Sequence, residues 1–112
     1  MSKPMEKITE EYKGHYFGYK ITNKKFYLEL VNKNQEIDLN NVAELFQIAE
    51  TGVKKGYKTL HFDFKDLKFI DSAGIGKLIK LSNVVKVVLL NVNDKIKEII
   101  KITKVASFFT IK

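Results

Sequence analysis

One segment concentrates the side chains that can do chemistry: Leu67-Lys68-Phe69-Ile70-Asp71-Ser72-Ala73-Gly74-Ile75-Gly76. It brings an apolar strand exit, two helix-capping residues, Asp71 and Ser72, and two glycines into a single helix start. Glycine within a helix costs about 1 kcal/mol relative to alanine, so two of them in a first turn need a reason. On one reading they keep the surface flat beside Ser72, so that another backbone can approach while the hydroxyl stands exposed at the positive end of the helix dipole. On a second reading, Asp71 or Ser72 caps the helix and the glycines relieve crowding against a strand. A phosphate-cradling loop is a third, because backbone N–H groups at a helix start bind anions, but the Gly-Lys-Ser/Thr ending of such loops is absent. Spacing alone leaves the first two readings open.

Elsewhere the residue types argue against catalysis. The 112-residue chain has no cysteine, which excludes disulfides, thiolate nucleophiles and cysteine-ligated metal, and only His15 and His61 supply imidazole. Asp63, Asp66 and Asp71 lie close together, but Asp63 falls on a strand and Asp66 in a turn, where carboxylates are commonly just solvated. His61 is expected on a strand face, with no nucleophile or second imidazole near it in sequence. No enzyme, bound metal or cofactor is expected.

All 20 basic residues are lysine, and against 13 carboxylates they give a formal net charge of +7. Without a guanidinium, bidentate recognition of guanine, phosphate or carboxylate is excluded. Positive charge attracts polyanions, but the lysines are scattered from Lys3 to Lys112, with Lys24-Lys25 and Lys54-Lys55 the only adjacent pairs. The spacing predicts a solvated surface rather than a nucleic-acid site. Tyr16, Tyr19 and Tyr27 are expected to pair across a hairpin rather than to stack on bases. No run approaches the roughly 18 to 20 apolar residues of a membrane span, and Met1 to Glu11 lacks an apolar signal core, so a cytoplasmic protein without membrane insertion is expected.

The elements that must hold Ser72 follow from hydrophobic periodicity. Length and a 45% hydrophobic composition fit one core. Residues 1–11, with the only proline, Pro4, are predicted as a mobile tail ahead of a domain spanning 12–112. Tyr12 to Ile21 and Lys25 to Val31 read as a hairpin around Thr22-Asn23-Lys24. Val42, Leu45, Phe46, Ala49 and Val53 then recur on one helical face, with Asn41 and Glu44 spaced as a capping box and Gly56 able to end the helix in the left-handed conformation. Lys58 to Phe64 alternates as a strand. The helix after Asp71-Ser72 turns Ile75, Leu78 and Ile79 inward and Lys77 and Lys80 outward. Val84 to Leu90 reads as a strand covered on both faces, and a third helix near Asn93-Asp94 carries Ile96, Ile99 and Ile100. Val105 to Ile111 closes the chain as a strand. The order β-β-α-β-α-β-α-β describes an α/β domain with crossover helices.

In this setting Phe69-Ile70-Asp71-Ser72-Ala73-Gly74-Ile75-Gly76 closely resembles the signature of the STAS domain family, the anti-sigma factor antagonists and their relatives. The resemblance extends over about residues 14–111. Glu36-Ile37-Asp38 followed by Asn41-Val42-Ala43 looks like the family's Glu-Leu-Asp segment, and Leu60-His61-Phe62-Asp63-Phe64 like its central strand. Asn34-Gln35 stands near the family's glycine before the first of these, and Lys104 where a glycine commonly follows the third helix. The resemblance implies a STAS-like single domain, a mixed sheet with helices packed mainly on one side. It further implies that Ser72 is the residue phosphorylated by a partner that is both anti-sigma factor and serine kinase, and dephosphorylated by a serine phosphatase. The unphosphorylated form would bind the anti-sigma factor and free a sigma factor. Asp38, Asp71, Ser72, Ala73, Gly74, Ile75, Gly76 and Lys77 would form the partner-binding surface, with Asp71 orienting the acceptor hydroxyl and capping the helix. The alternative within the family is a STAS subunit of a lipid or anion transporter or of a sensory complex, binding an ATPase or scaffold without a phosphoswitch. The oligomeric state is left open.

Overall fold

Period-two alternation and helical stripes organise residues 7–112, the part described by the computed structural model, into β1 (Ile8–Lys13), β2 (Phe17–Thr22), β3 (Lys25–Leu30), β4 (Gln35–Ile37), α1 (Val42–Lys54), β5 (Thr59–Asp63), β6 (Leu67–Ile70), α2 (Ser72–Ser82), β7 (Lys86–Leu90), α3 (Asp94–Ile102) and β8 (Thr110–Ile111). Six strands form one sheet in the order β1-β2-β3-β5-β7-β8, antiparallel through β3 and parallel beyond it, while β4 and β6 make a separate parallel pair.

Register sorts the side chains. Phe26 lies opposite Leu60 and Leu28 opposite Phe62; Leu60 and Phe62 in turn lie opposite Val87 and Leu89, and all six are buried. Helix α1 packs on β2 and β3 on this face, and its Gly52 comes so close that an added Cβ would stand 2.7 Å from Leu60 Cδ2. Helix α2 packs on β7 and β6, and α3 on β6, adding Ile75, Leu78, Ile96 and Ile100 to the same core. The opposite face carries the half-buried residues Lys20, Tyr27, Glu29, His61 and Asp63. This is the expected mixed sheet with helices mainly on one side.

Several boundaries differ from the sequence expectation. The mobile tail was expected to run to Glu11, but Ile8 to Lys13 form β1, and Glu10 accepts a hydrogen bond from the Tyr19 hydroxyl and pairs with Lys55 at 3.0 Å. Residues 1–6 of that expected tail lie outside the described residues. Tyr12 to Ile21 is two strands, because Gly14 to Tyr16 turn the chain: Gly14 donates to the Phe17 carbonyl at 2.8 Å. Strands β4 and β6 escape periodicity because they are three and four residues long. Val105 to Ile111 is a single 3-10 turn followed by a two-residue strand.

The left-handed positions follow the turns. Asn23 and Lys24, with φ of 51° and 59°, make the two-residue link of the β2–β3 hairpin. Gly56, at φ 95°, ends α1 as expected, with its N–H on Val53 O and that of Tyr57 on Gly52 O. Asn34 (φ 53°) and Lys104 (φ 60°) adopt this conformation without a glycine.

Candidate functional site

Three short segments meet at the start of α2: the end of β6, the helix itself, and the loop that joins β4 to α1. Asp71 is the N-cap, with extended backbone and Oδ1 accepting the Gly74 N–H at 3.0 Å, which satisfies one of the orphan donors of the first turn. Its backbone N–H donates to Ile37 O at 3.0 Å, fixing the helix start to β4. Its second oxygen, Oδ2, accepts the backbone N–H of Leu39 at 3.2 Å. Both carboxylate oxygens are thus engaged with backbone, and neither holds the Ser72 hydroxyl; the expected orienting role of Asp71 toward that hydroxyl is replaced by a loop clamp.

The β4–α1 loop is built to stay put. Asp38 N–H donates to Asn41 Oδ1 at 3.0 Å, Asn41 Nδ2 donates to Glu36 O at 2.7 Å, and Asn40 N–H donates to Asp38 Oδ1 at 2.9 Å. Asn41 is therefore buried and spends its side chain inside the loop instead of capping α1. Glu44, the other half of the expected capping box, turns away and accepts from the N–H groups of His15, Tyr16 and Phe17 at 3.1, 2.5 and 2.6 Å. The capping box is not formed, because these donors in the β1–β2 turn use the carboxylate. The clamped loop leaves the Leu39 side chain 76% exposed beside the helix start.

Ser72 is the first helical residue, exposed, and its hydroxyl has no hydrogen-bond partner among the described residues. Residues four apart share a helix face, and Ser72, Gly76 and Lys80 form an exposed stripe on α2. The two glycines part company here. At Gly74 a Cβ would stand 2.7 Å from both Ile37 Cγ2 and Ile70 Cγ1, so this glycine lets α2 sit on β4 and β6. At Gly76 a Cβ would meet nothing within 4 Å, and nothing inside the protein demands a glycine there.

Of the expected partner-binding residues, Ser72 and Gly76 are exposed, and Asp38, Asp71, Ala73 and Lys77 are half-buried. Gly74 and Ile75 are buried, Gly74 against the β4–β6 pair and Ile75 in the core. Lys77 lies with its Nζ 4.8 Å from the centre of the Phe46 ring, and Lys80 at 5.5 Å shares it. Sequence reasoning missed Leu39 and Phe69, the latter 36% exposed on β6 with Lys95 over its ring at 5.8 Å. A large apolar residue in a polar loop, Asp38-Leu39-Asn40-Asn41, was the signal for Leu39. Asp63 is tied to Asn91 Nδ2 at 3.0 Å and to Lys65 N–H at 3.1 Å, and no cluster of metal-ligating side chains occurs among the described residues. No described helix is long and apolar enough to cross a membrane.

A family model for the STAS domain matches residues 28–112. Among solved structures, the crystal structure of TM1081 from Thermotoga maritima, a candidate anti-sigma factor antagonist, superposes with a TM-score of 0.71 at 21% identity, covering 87% of this chain and 86% of that one. The anti-sigma factor antagonist SpoIIAA in its unphosphorylated form gives 0.60 at 22% identity, covering 86% of each chain. The Bacillus cell fate determinant SpoIIAA in the phosphorylated form gives 0.62 at 17% identity, covering 86% of this chain and 90% of that one. A search of curated protein sequences finds no match.

Proposed function

The chain belongs to the STAS domain family, and from that premise we propose that it is an anti-sigma factor antagonist, a non-catalytic binding module switched by phosphorylation of Ser72. The observation that carries the reading is the exposed, unbonded Ser72 hydroxyl at the first position of α2, followed one turn later by a glycine that no internal contact requires. A kinase needs an accessible hydroxyl. A partner that packs closely on α2 needs the missing Cβ at Gly76. That SpoIIAA, which shares the fold, has been solved in phosphorylated and unphosphorylated forms supports the same reading.

The switch works by charge at an interface. A phosphate on Ser72 adds about −1.5 to −2 charge, which the N-terminus of α2 accommodates within the protein itself. At a docked surface the same charge has to be desolvated beside Asp71 and Asp38. A loss of about 2.7 kcal/mol weakens binding a hundredfold, so no refolding is needed. In the unphosphorylated form the module holds the anti-sigma factor through Leu39, Ser72, Gly76 and Lys77 and leaves a sigma factor free; a serine phosphatase resets it.

The test is a pull-down from native extract with wild type, Ser72→Ala and Ser72→Glu, followed by incubation of the captured material with ATP. Wild type and Ser72→Ala should retain a serine kinase that Ser72→Glu loses, and phosphate should appear on wild type alone. Equal retention of one partner by all three, with no phosphate on Ser72, rules the switch out. Capture of a lipid-transport ATPase in place of a kinase moves the assignment to the transporter-subunit branch of the family.

A further inference from the structure

Lysines scattered along the sequence do not stay scattered in the fold. Lys24, Lys25, Lys58, Lys86 and Lys112 line one cleft of about 370 Å³, with no acidic side chain among the lining residues. Topology assembles them. Lys24 and Lys25 come from the β2–β3 turn, Lys58 and Lys86 from the starts of neighbouring parallel strands, where Lys86 N–H donates to Lys58 O at 2.9 Å, and Lys112 follows β8, its N–H on Leu89 O at 2.9 Å. The cleft thus opens at the starting ends of β3, β5 and β7, whereas Ser72 follows β6, which leaves from the finishing end of β5.

Three features set this cleft apart from an ordinary solvated lysine surface. The ion pairs among the described residues are Lys20–Glu29 and Lys55–Glu10, and none of the five lysines is ion-paired among these residues. Lys24 occupies a left-handed turn position, φ 59°, where glycine is the preferred residue, so the charge is held on a tight turn against backbone preference. At the cleft, the buried Nδ1 of His61 has no hydrogen-bond partner. Burial first, and then the charges of Lys25, Lys112 and Lys86, hold the His61 imidazole below its usual 6.5, with the Phe26 backbone acting the other way.

We propose that this cleft binds a compact polyphosphate anion, a small molecule carrying two or more phosphate groups. Lysines bind phosphate as point charges, and several around one concavity match the high charge density of linked phosphates. A cleft of this volume falls within the range of small-ligand sites, about 300–1,000 Å³, which suits a compact ligand. The site is independent of the Ser72 switch.

The experiment is calorimetric titration of the full chain with tripolyphosphate at low salt, paired with NMR of the two histidines. Three proteins are compared: wild type, the double variant Lys25→Gln/Lys86→Gln, and the control Lys33→Gln/Lys97→Gln, which removes the same charge from exposed positions outside the cleft. Wild type and control should bind saturably with similar affinity and the cleft variant about tenfold or more weakly; ligand should raise the His61 titration midpoint and leave that of His15 in place. Equal losses in both double variants, or no saturation in wild type, overturn the proposal. So does a single-stranded oligonucleotide or an acidic peptide that binds through the same lysines more tightly than tripolyphosphate.

Discussion

Asp71 and Leu39, 32 residues apart, are joined by a hydrogen bond of 3.2 Å from the Leu39 backbone to the Asp71 carboxylate, whose other oxygen caps α2. One side chain therefore sets both the start of the helix that carries Ser72 and the loop that displays Leu39. Asp71→Ala should cost about 1–2 kcal/mol, the range for a lost N-cap. It should also speed amide exchange at residues 38–41 and weaken partner binding with Ser72 intact. Urea unfolding and hydrogen exchange measure the first two; a stability loss with unchanged exchange at Leu39 contradicts the clamp.

The two glycines of the signature should respond in opposite ways. Gly74→Ala drives a Cβ to 2.7 Å from Ile37 and Ile70, and overpacking of this kind costs about 1–3 kcal/mol. Gly76→Ala meets nothing and gains helix propensity, so it should stabilise the fold by about 0.5–1 kcal/mol while reducing affinity for the partner. Chemical denaturation and binding measured on the same preparations check the pair. A Gly76→Ala protein that is more stable and binds unchanged removes Gly76 from the interface.

Glu44 closes the β1–β2 turn by accepting from three consecutive backbone N–H groups. Glu44→Ala leaves those donors without their charged acceptor, and Phe17 is fully buried. Bonds to a charged group are worth about 1.5–3 kcal/mol net, so the variant should lose about 2 kcal/mol in urea unfolding, with exchange protection lost first at residues 15–17. Glu44→Gln keeps one acceptor oxygen and should recover part of the loss.

What the sequence made legible is what repeats locally. Val42, Leu45 and Ala49 on α1, or Phe26 and Leu28 on β3, declare their faces because each buried residue has a neighbour at helical or strand spacing. Asp71 as a cap was legible because capping acts within one turn. Glu44 was misread for the same reason: its spacing from Asn41 satisfied a local rule, while its partners lie 27 to 29 residues away. The signature glycines looked alike in sequence and were separated only by what stands across from each. The basic cleft was invisible because parallel strand starts, a hairpin turn and the end of β8 bring together lysines from four separate places along the chain.

His61 gives a pH dependence whose direction follows from its surroundings. Its folded-state midpoint lies below the usual 6.5, chiefly because burial disfavours the charged ring, with Lys25, Lys112 and Lys86 adding to the effect. Above that usual value the ring is neutral in both folded and unfolded chains and contributes no slope. As the pH falls through about 6.5, the unfolded chain takes up a proton that the folded protein resists, so stability declines until the folded midpoint is passed, and the contribution then levels off. His61→Phe keeps a ring against Tyr27, now 5.0 Å away between centroids, and cannot take up the proton. Urea unfolding of wild type and variant should therefore run parallel above about pH 7 and diverge between about pH 6.5 and 5, wild type falling faster. His15 is present in both proteins and cancels from the comparison. Parallel curves over the whole range mean that the ring is protonated as readily in the fold as out of it, and that the lysines around it are too well solvated to act on it.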